Sequence, residues 1–208
     1  MSLRFFAALG LLVGLGSVSA SAASLDRDVE KLRIKAMLTG MVAEDQVLRM
    51  GGAELVKLGY GFDEVLKHQG LAKATLAVDR SNTEKLKTIL KQWTWITLSE
   101  FGADASENAW LLAQHADQDV EFQEEALKRI TVALKAKDVK PANFAYLWDR
   151  VQVNRSRPQR YGTQGICKGK GLWEPRPLED AGKLDEYRKS VELSTFAEYL
   201  KTVAPYCF

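Results

Sequence analysis

Apolar side chains recur at steps of three and four residues along most of this chain, and polar ones fill the positions between them. The stretch DRDVEKLRIKAMLTGMVAEDQVLR, residues 26 to 49, is rich in helix formers. It predicts one helix, or two joined near Gly40, with Gly51 and Gly52 ending the pattern. A shorter helix fits DEVLKHQG. SNTEKLKTILKQW then opens on capping residues and sets Leu86, Ile89 and Leu90 on one side. TWITLSEFGAD reads as a turn whose aromatic residues plug the helix layer. From Ser106 to about Ala136 the pattern is helical again, with AWLLA near its start and LKRITVAL near its end. Pro141 suits the first turn of a helix that packs Phe144, Leu147, Trp148 and Val151. RSRPQRYGTQGICKGKGLWEPRPLED is dominated by Pro, Gly, Arg and Lys and predicts an irregular segment closing over the helices. A last helix is expected from about Ala181 to Thr202. Alternating strand signals are scarce, so the expected fold is mainly α: a compact multi-helix domain with an irregular C-terminal loop segment.

The first residues change where such a domain should work. MSLRFFAALGLLVGLGSVSASAAS places Arg4 before an apolar run from Phe5 to Gly16, with small residues suited to cleavage after Ala20 or Ala22. This reads as a secretory signal over residues 1–22, followed by one helical domain over residues 23–208. The mature protein is then expected to be secreted or periplasmic, without stable membrane insertion. Cleavage removes Arg4 and no acid, lowering the formal charge of +2 by one. That balance, with Lys spread among acids, points away from nucleic acid as a partner. Cys167 and Cys207 are the only cysteines, and an oxidising compartment favours a disulfide between them. Two free thiols or an intermolecular link are the alternatives. Two distant cysteines and two histidines do not make an ordinary closed zinc site without several carboxylates, and neither a metal nor a cofactor is expected; a metal held where His115, Asp119 and remote carboxylates converge is the lesser alternative.

One helical stretch carries chemistry where its core face should be. On a wheel at about 100° per residue, Leu112, Ala116, Phe122, Ala126, Leu127 and Ile130 form an apolar arc, and His115, Asp119 and Gln123 fall inside it. Inward polar groups must be hydrogen-bonded, because an unpaired one costs about 1–3 kcal/mol. The ladder therefore either locks helices together or lines a cleft. In the second case His115 serves as acid or base and Asp119 orients it or bonds a ligand. Other segments supply partners: Asp45, Gln46 and Arg49 in EDQVLR, Asp149 and Arg150 in WDRV, and Gln159, Arg160, Tyr161, Thr163 and Gln164 in PQRYGTQG. Each also has a plain reading, as a helix ion pair or as a turn packing Tyr161 over the core. Ser81, Ser106 and Ser194 are simpler as helix caps than as nucleophiles, and NRS at Asn154 formally matches a glycosylation acceptor. There is no GxSxG, HExxH, CxxC, CxxCH or phosphate-binding Gly-rich loop.

Taken in order, EDQVLR, DRSNTEKLKTIL, QHADQDVEFQ, AYLWDRV and PQRYGTQ resemble a bacterial family known only as domain of unknown function 6624, over roughly residues 35–200. The resemblance picks out Asp45, Gln46, Arg49, Asp79, Asn82, Gln114, His115, Asp117, Asp119, Gln123, Asp149, Arg150, Gln159, Tyr161, Gly162, Thr163 and Gln164. Where relatives usually carry a Trp-Pro turn before the third motif, this chain reads QWTWITLSEFG. No activity comes with the family; what it implies is that these polar groups belong to one recurring arrangement.

The leading expectation is a polar small-ligand pocket with hydrolytic His/Asp chemistry. His115 and Asp119 would be catalytic, and Asp45, Gln46, Arg49, Gln123, Asp149, Arg150, Tyr161, Thr163 and Gln164 would bind a small polar molecule or peptide. A non-catalytic envelope module recognising a peptide or cell-wall fragment, and a purely structural helical domain, are the competing expectations.

Overall fold

The computed structural model describes residues 15–60, 64–65 and 68–207 of the chain. Helix α1 (Leu15–Lys57) leads to α2 (Gln69–Ile89), a single turn α3 (Leu98–Phe101), α4 (Ala103–Gln114), α5 (Val120–Lys135) and α6 (Pro141–Asn154). A hairpin of β1 (Gly165–Gly169) and β2 (Leu172–Pro175) follows, then α7 (Leu184–Ser190) and α8 (Phe196–Val203), with 3-10 turns at Ala181–Lys183 and Ala204–Tyr206. The protein is mainly α, as its periodicity predicts. Of the expected secretory segment, residues 1–14 lie outside the described residues. Of the short helix expected over residues 63–70, residues 63, 66 and 67 also lie outside the described residues, while Gln69 and Gly70 already open α2.

α4 is the hub. Its Ala105, Ala109 and Ala113 lie one turn apart and are buried, so α1, α2 and α6 can all pack closely against it. Ile34, Leu38 and Met41 come from α1, Leu86, Ile89 and Leu90 from α2, Phe122, Ala126, Leu127 and Ile130 from α5, and Leu147 and Val151 from α6. Trp95, Ile96 and Phe101 fill the layer between α2 and α4. Truncating a fully enclosed member such as Leu38 or Leu147 costs about 2–5 kcal/mol. A smaller core of Ala145, Tyr161 and Val191 seats the C-terminal part on α6. Among the described residues no helix is long and apolar enough to cross a membrane.

Four boundaries differ from the sequence reading. α1 runs through Gly40, Gly51 and Gly52 as one helix. A helical glycine costs about 1 kcal/mol, which the contacts of Ile34, Leu38 and Met41 offset. α2 begins at Gln69, twelve residues before Ser81, with His68 Nδ1 accepting from Leu71 N at 3.3 Å. The helix expected from Ser106 to Ala136 is two helices: α4 stops at Gln114, and Asp119 caps α5 by accepting from Phe122 N at 2.9 Å. The last expected helix is also divided, because Glu192 takes a left-handed φ of 61° and Thr195 with Glu198 builds a capping box for α8.

Within the segment expected to be irregular lies the one sheet among the described residues. β1 and β2 pair antiparallel around Gly171, whose φ of 68° makes the turn. Gly165 is required by close approach, since a Cβ there would sit 2.2 Å from the Trp173 ring. Cys167 on β1 is disulfide-bonded to Cys207, 40 residues away, and Gly171 N donates to Cys207 O at 2.7 Å.

Replacing both Cys167 and Cys207 by Ser is expected to lower unfolding free energy by about 4 kcal/mol, the chain-entropy value for a loop of this length. Urea denaturation of the two proteins checks it, and wild type in reductant should match the variant.

Candidate functional site

The site grows from the five residues that join α4 to α5. His115, Asp117, Gln118 and Asp119 each turn toward a different anchor. His115 Nδ1 lies 3.1 Å and 3.0 Å from the two oxygens of Asp45 on α1. Gln118 Nε2 donates to Leu76 O on α2 at 2.7 Å, and its Oε1 accepts from Arg80 at 3.0 Å. Asp119 accepts from Lys87 Nζ at 2.6 Å. Asp117 is gripped by Arg150 on α6, through Nε at 2.8 Å and a second, shorter bond from the other guanidinium nitrogen.

Around Asp45 a compact charged group forms. The carboxylate is 1% exposed. Arg49, one turn on along α1, donates from Nε to Asp45 Oδ1 at 2.9 Å and from its terminal nitrogen to Asp79 Oδ1 on α2 at 2.6 Å. Gln46 Nε2 donates to Asp45 Oδ2 at 2.7 Å. Burial pushes the Asp45 carboxyl up, but the hydrogen bond and charge of His115, joined by Arg49, outweigh it and hold the group well below the usual carboxylate range. At Asp79 burial dominates; Arg49 offsets it only in part, and the neighbouring Asp45 adds to it, so its pKa is raised. Two adjacent carboxyls are thus driven apart in pKa, the pattern that separates an acid from a base.

An ionised carboxylate can only accept, so His115 Nδ1 carries the proton and Nε2 presents a lone pair when the ring is neutral. Among the described residues Nε2 has no hydrogen-bond partner, and the side chain remains 15% exposed. Arg49 is 31% exposed, and its remaining terminal nitrogen likewise has no partner among those residues. Asp45, Asp79 and His115 offer donor atoms within 4.8 Å of one another, a set able to hold a metal ion. Arg49 bonds both carboxylates and supplies positive charge between them.

The second polar group is a packed network. Gln123, fully buried, donates to Gln114 O at 3.0 Å and to Asp117 Oδ1 at 3.1 Å, and Asn154 Nδ2 donates to both Asp117 Oδ1 at 2.8 Å and Gln123 Oε1 at 2.9 Å. Burial opposes ionisation of Asp117, but the Arg150 pair prevails and its pKa is lowered. Arg150 also donates to Gln164 Oε1 at 2.9 Å, and Gln164 Nε2 donates to Thr163 Oγ1 at 3.1 Å. Asp149 has no exposed surface and accepts from Arg160 N at 2.9 Å, Tyr161 N at 3.0 Å, Thr163 N at 2.9 Å and Thr163 Oγ1 at 2.9 Å. Gln159 closes the loop from the other side, donating to Gln164 O at 2.7 Å and to Arg176 O at 2.9 Å.

Residues 34–206 match the model of a family of unknown function, DUF6624. The chain belongs to that family. No curated protein and no solved structure gives a significant match. Most of the residues singled out by the resemblance fall into these two groups, Asp45, Gln46, Arg49, Asp79 and His115 in one and Gln114, Asp117, Gln123, Asp149, Arg150, Gln159, Thr163 and Gln164 in the other, while Asn82 bonds Met41 O and Asp119 bonds Lys87 outside them.

The structure redistributes the expected roles. His115 is oriented by Asp45 and not by Asp119, because the helix ends at Gln114 and one-turn spacing no longer holds beyond it. Asp119 instead caps α5, and the hydrogen bond from Lys87 lowers its pKa. Asp149 positions a loop and has no face for a ligand. Tyr161 is buried against Phe144 and the smaller core, with its pKa raised by burial. Asp79, Asp117 and Asn154 lie in the two groups although none stood among the expected catalytic or ligand-binding residues; only the resemblance picked out Asp79 and Asp117. The signal for Asp79 was its place on the inward stripe of α2, and for Asn154 its position one turn after Arg150. A cleft of about 290 Å3 lies elsewhere, lined by Arg27, Trp93, Trp95, Glu100, Arg129 and Asp138 among others, and includes none of the His115 group.

Asp45, Asp117 and Asp119 have folded pKa values below the ordinary 3.8, so each contributes stability that is present above that value and lost as pH falls through the folded one. Asp79, being raised, has the opposite sign: its contribution is complete at low pH and lost as pH rises through its folded value. Urea unfolding between neutral pH and pH ~3 should therefore show stability falling with acid, less steeply in Asp45→Asn and more steeply in Asp79→Asn.

Asp149→Asn should cost at least about 2–3 kcal/mol, since an amide loses one acceptor oxygen and adds two buried donors. Thermal unfolding with hydrogen exchange at Tyr161 and Thr163 checks it; unchanged protection would count against the clasp.

Proposed function

We propose that the protein is an exported acid–base enzyme of the hydrolase class, acting on a small polar substrate that carries an anionic group. One observation carries the reading: buried Asp45 takes both His115 Nδ1 and Arg49 Nε, leaving the imidazole Nε2 and one terminal guanidinium nitrogen without partners among the described residues. In this arrangement Asp45 fixes the tautomer and stabilises the imidazolium once a proton is gained. His115 Nε2 takes a proton from an attacking water and returns it to the leaving group. Arg49 holds the anionic part of the substrate, and Asp79, with its raised pKa, is the neighbouring group suited to carry a proton. Export rests on the N-terminal apolar run of the sequence and is compatible with the Cys167–Cys207 disulfide.

A second reading, a non-catalytic domain whose polar groups lock its helices, is favoured by the dense hydrogen bonding around Asp117 and Asp149. Turnover of ester, amide and phosphoester panels by wild type, His115→Ala and His115→Gln separates them. Catalysis predicts that kcat/KM falls by about 10²–10⁴ in both variants with the fold retained. Equal turnover in all three would remove His115 from any mechanism, and unfolding of His115→Gln without activity in wild type would favour the locking role.

A further inference from the structure

α1 has two apolar faces, and only one of them is covered. On a wheel at about 100° per residue, Ile34, Leu38, Met41 and Asp45 point into the protein. Leu25, Val29, Leu32, Ala36, Gly40, Ala43, Val47 and Met50 lie on the opposite side, within an arc of about 80°. All eight are exposed, and the five large ones are between 56% and 69% exposed. Their spacing of three and four residues is that of a coiled-coil seam. Gly40 sharpens the point. It weakens the helix, and a Cβ added there would meet nothing within 4 Å, so no contact among the described residues accounts for it.

We propose that this face is the interface of an antiparallel homodimer. Set antiparallel about the middle of the seam, two copies bring Leu25 opposite Met50, Val29 opposite Val47, Leu32 opposite Ala43 and Ala36 opposite Gly40. Large meets large at the ends, large meets small inside, and the small residues let the helices touch at the centre. Along one border of the seam Arg33 of one copy falls opposite Glu44 of the other; both are exposed, and Arg33, which bonds Glu30 on its own helix at 2.8 Å, would bridge the two acids. The seam runs for about 38 Å along the helix, roughly seven turns, long enough for a continuous two-helix contact. The face lies opposite Asp45 on α1, so the dimer leaves the His115 group uncovered and stands independently of the proposed activity.

Sedimentation equilibrium of the purified protein should give twice the chain mass, and Leu32→Glu with Val47→Glu should give a monomer with an unchanged circular dichroism spectrum. Oxidised mixtures of Val29→Cys and Val47→Cys chains should cross-link to each other, with little linkage in either variant alone; both native cysteines are already paired. A wild-type monomer at high micromolar concentration overturns the proposal, as does a dimer that survives the double Glu substitution. Self-linkage of Val29→Cys overturns the antiparallel register. A monomer that floats with anionic lipid vesicles would assign the face to a lipid surface instead.

Discussion

A carboxylate with almost no access to water sits on α1, and the arrangement of three helices follows from having to satisfy it. Asp45 needs donors, because an ionised group buried without partners would cost several kcal/mol. Two come from its own helix, Gln46 and Arg49, which is possible only while α1 stays regular through that turn. The third is His115, which reaches Asp45 because α4 ends one residue earlier. Arg49 then passes the constraint to α2 by bonding Asp79. The relative positions of α1, α2 and α4 are therefore set by charge pairing as well as by the alanine-lined contacts beneath.

Periodicity located most of the core, because burial in a helix follows the wheel whatever the neighbours are. It failed where one stripe continued across a change in the backbone. Phe122, Gln123 and Ala126 keep phase with Leu112 and His115, so the joint between α4 and α5 was invisible to a wheel and visible only in the capping geometry of Asp119. Glycine misled in the other direction: Gly40, Gly51 and Gly52 weaken a helix locally, yet tertiary contacts carry α1 through them. The start of α2 was missed because its inward stripe includes Asp79 and Asn82, which a hydrophobic pattern scores as surface.

For the site, residue types were legible and pairings were not. His115 and Gln123 do face inward, and the polar motifs do gather near them. Which acid meets which base depends on contacts across long separations, 70 residues for His115 and Asp45, about which local spacing says nothing. Several residues with the look of ligand binders, Asp149, Gln159 and Tyr161, shape a loop instead. A loop rich in Gly and Pro lacks its own ladder of backbone bonds, so buried side chains must satisfy its N–H and C=O groups. Arg188 does the same work farther on, fully enclosed and donating to Tyr161 O at 2.7 Å and Ser194 O at 2.6 Å.

The clasp between Asp149 and its loop closes over 11 to 14 residues, whereas the Asp45–His115 bond closes over 70. Short chain loops close at a lower entropic cost than long ones, so local order can form before distant order. The Asp45–His115 pairing exists only once two segments 70 residues apart have come together. Whatever His115 does in concert with Asp45 therefore waits on the finished packing of α1 against α4.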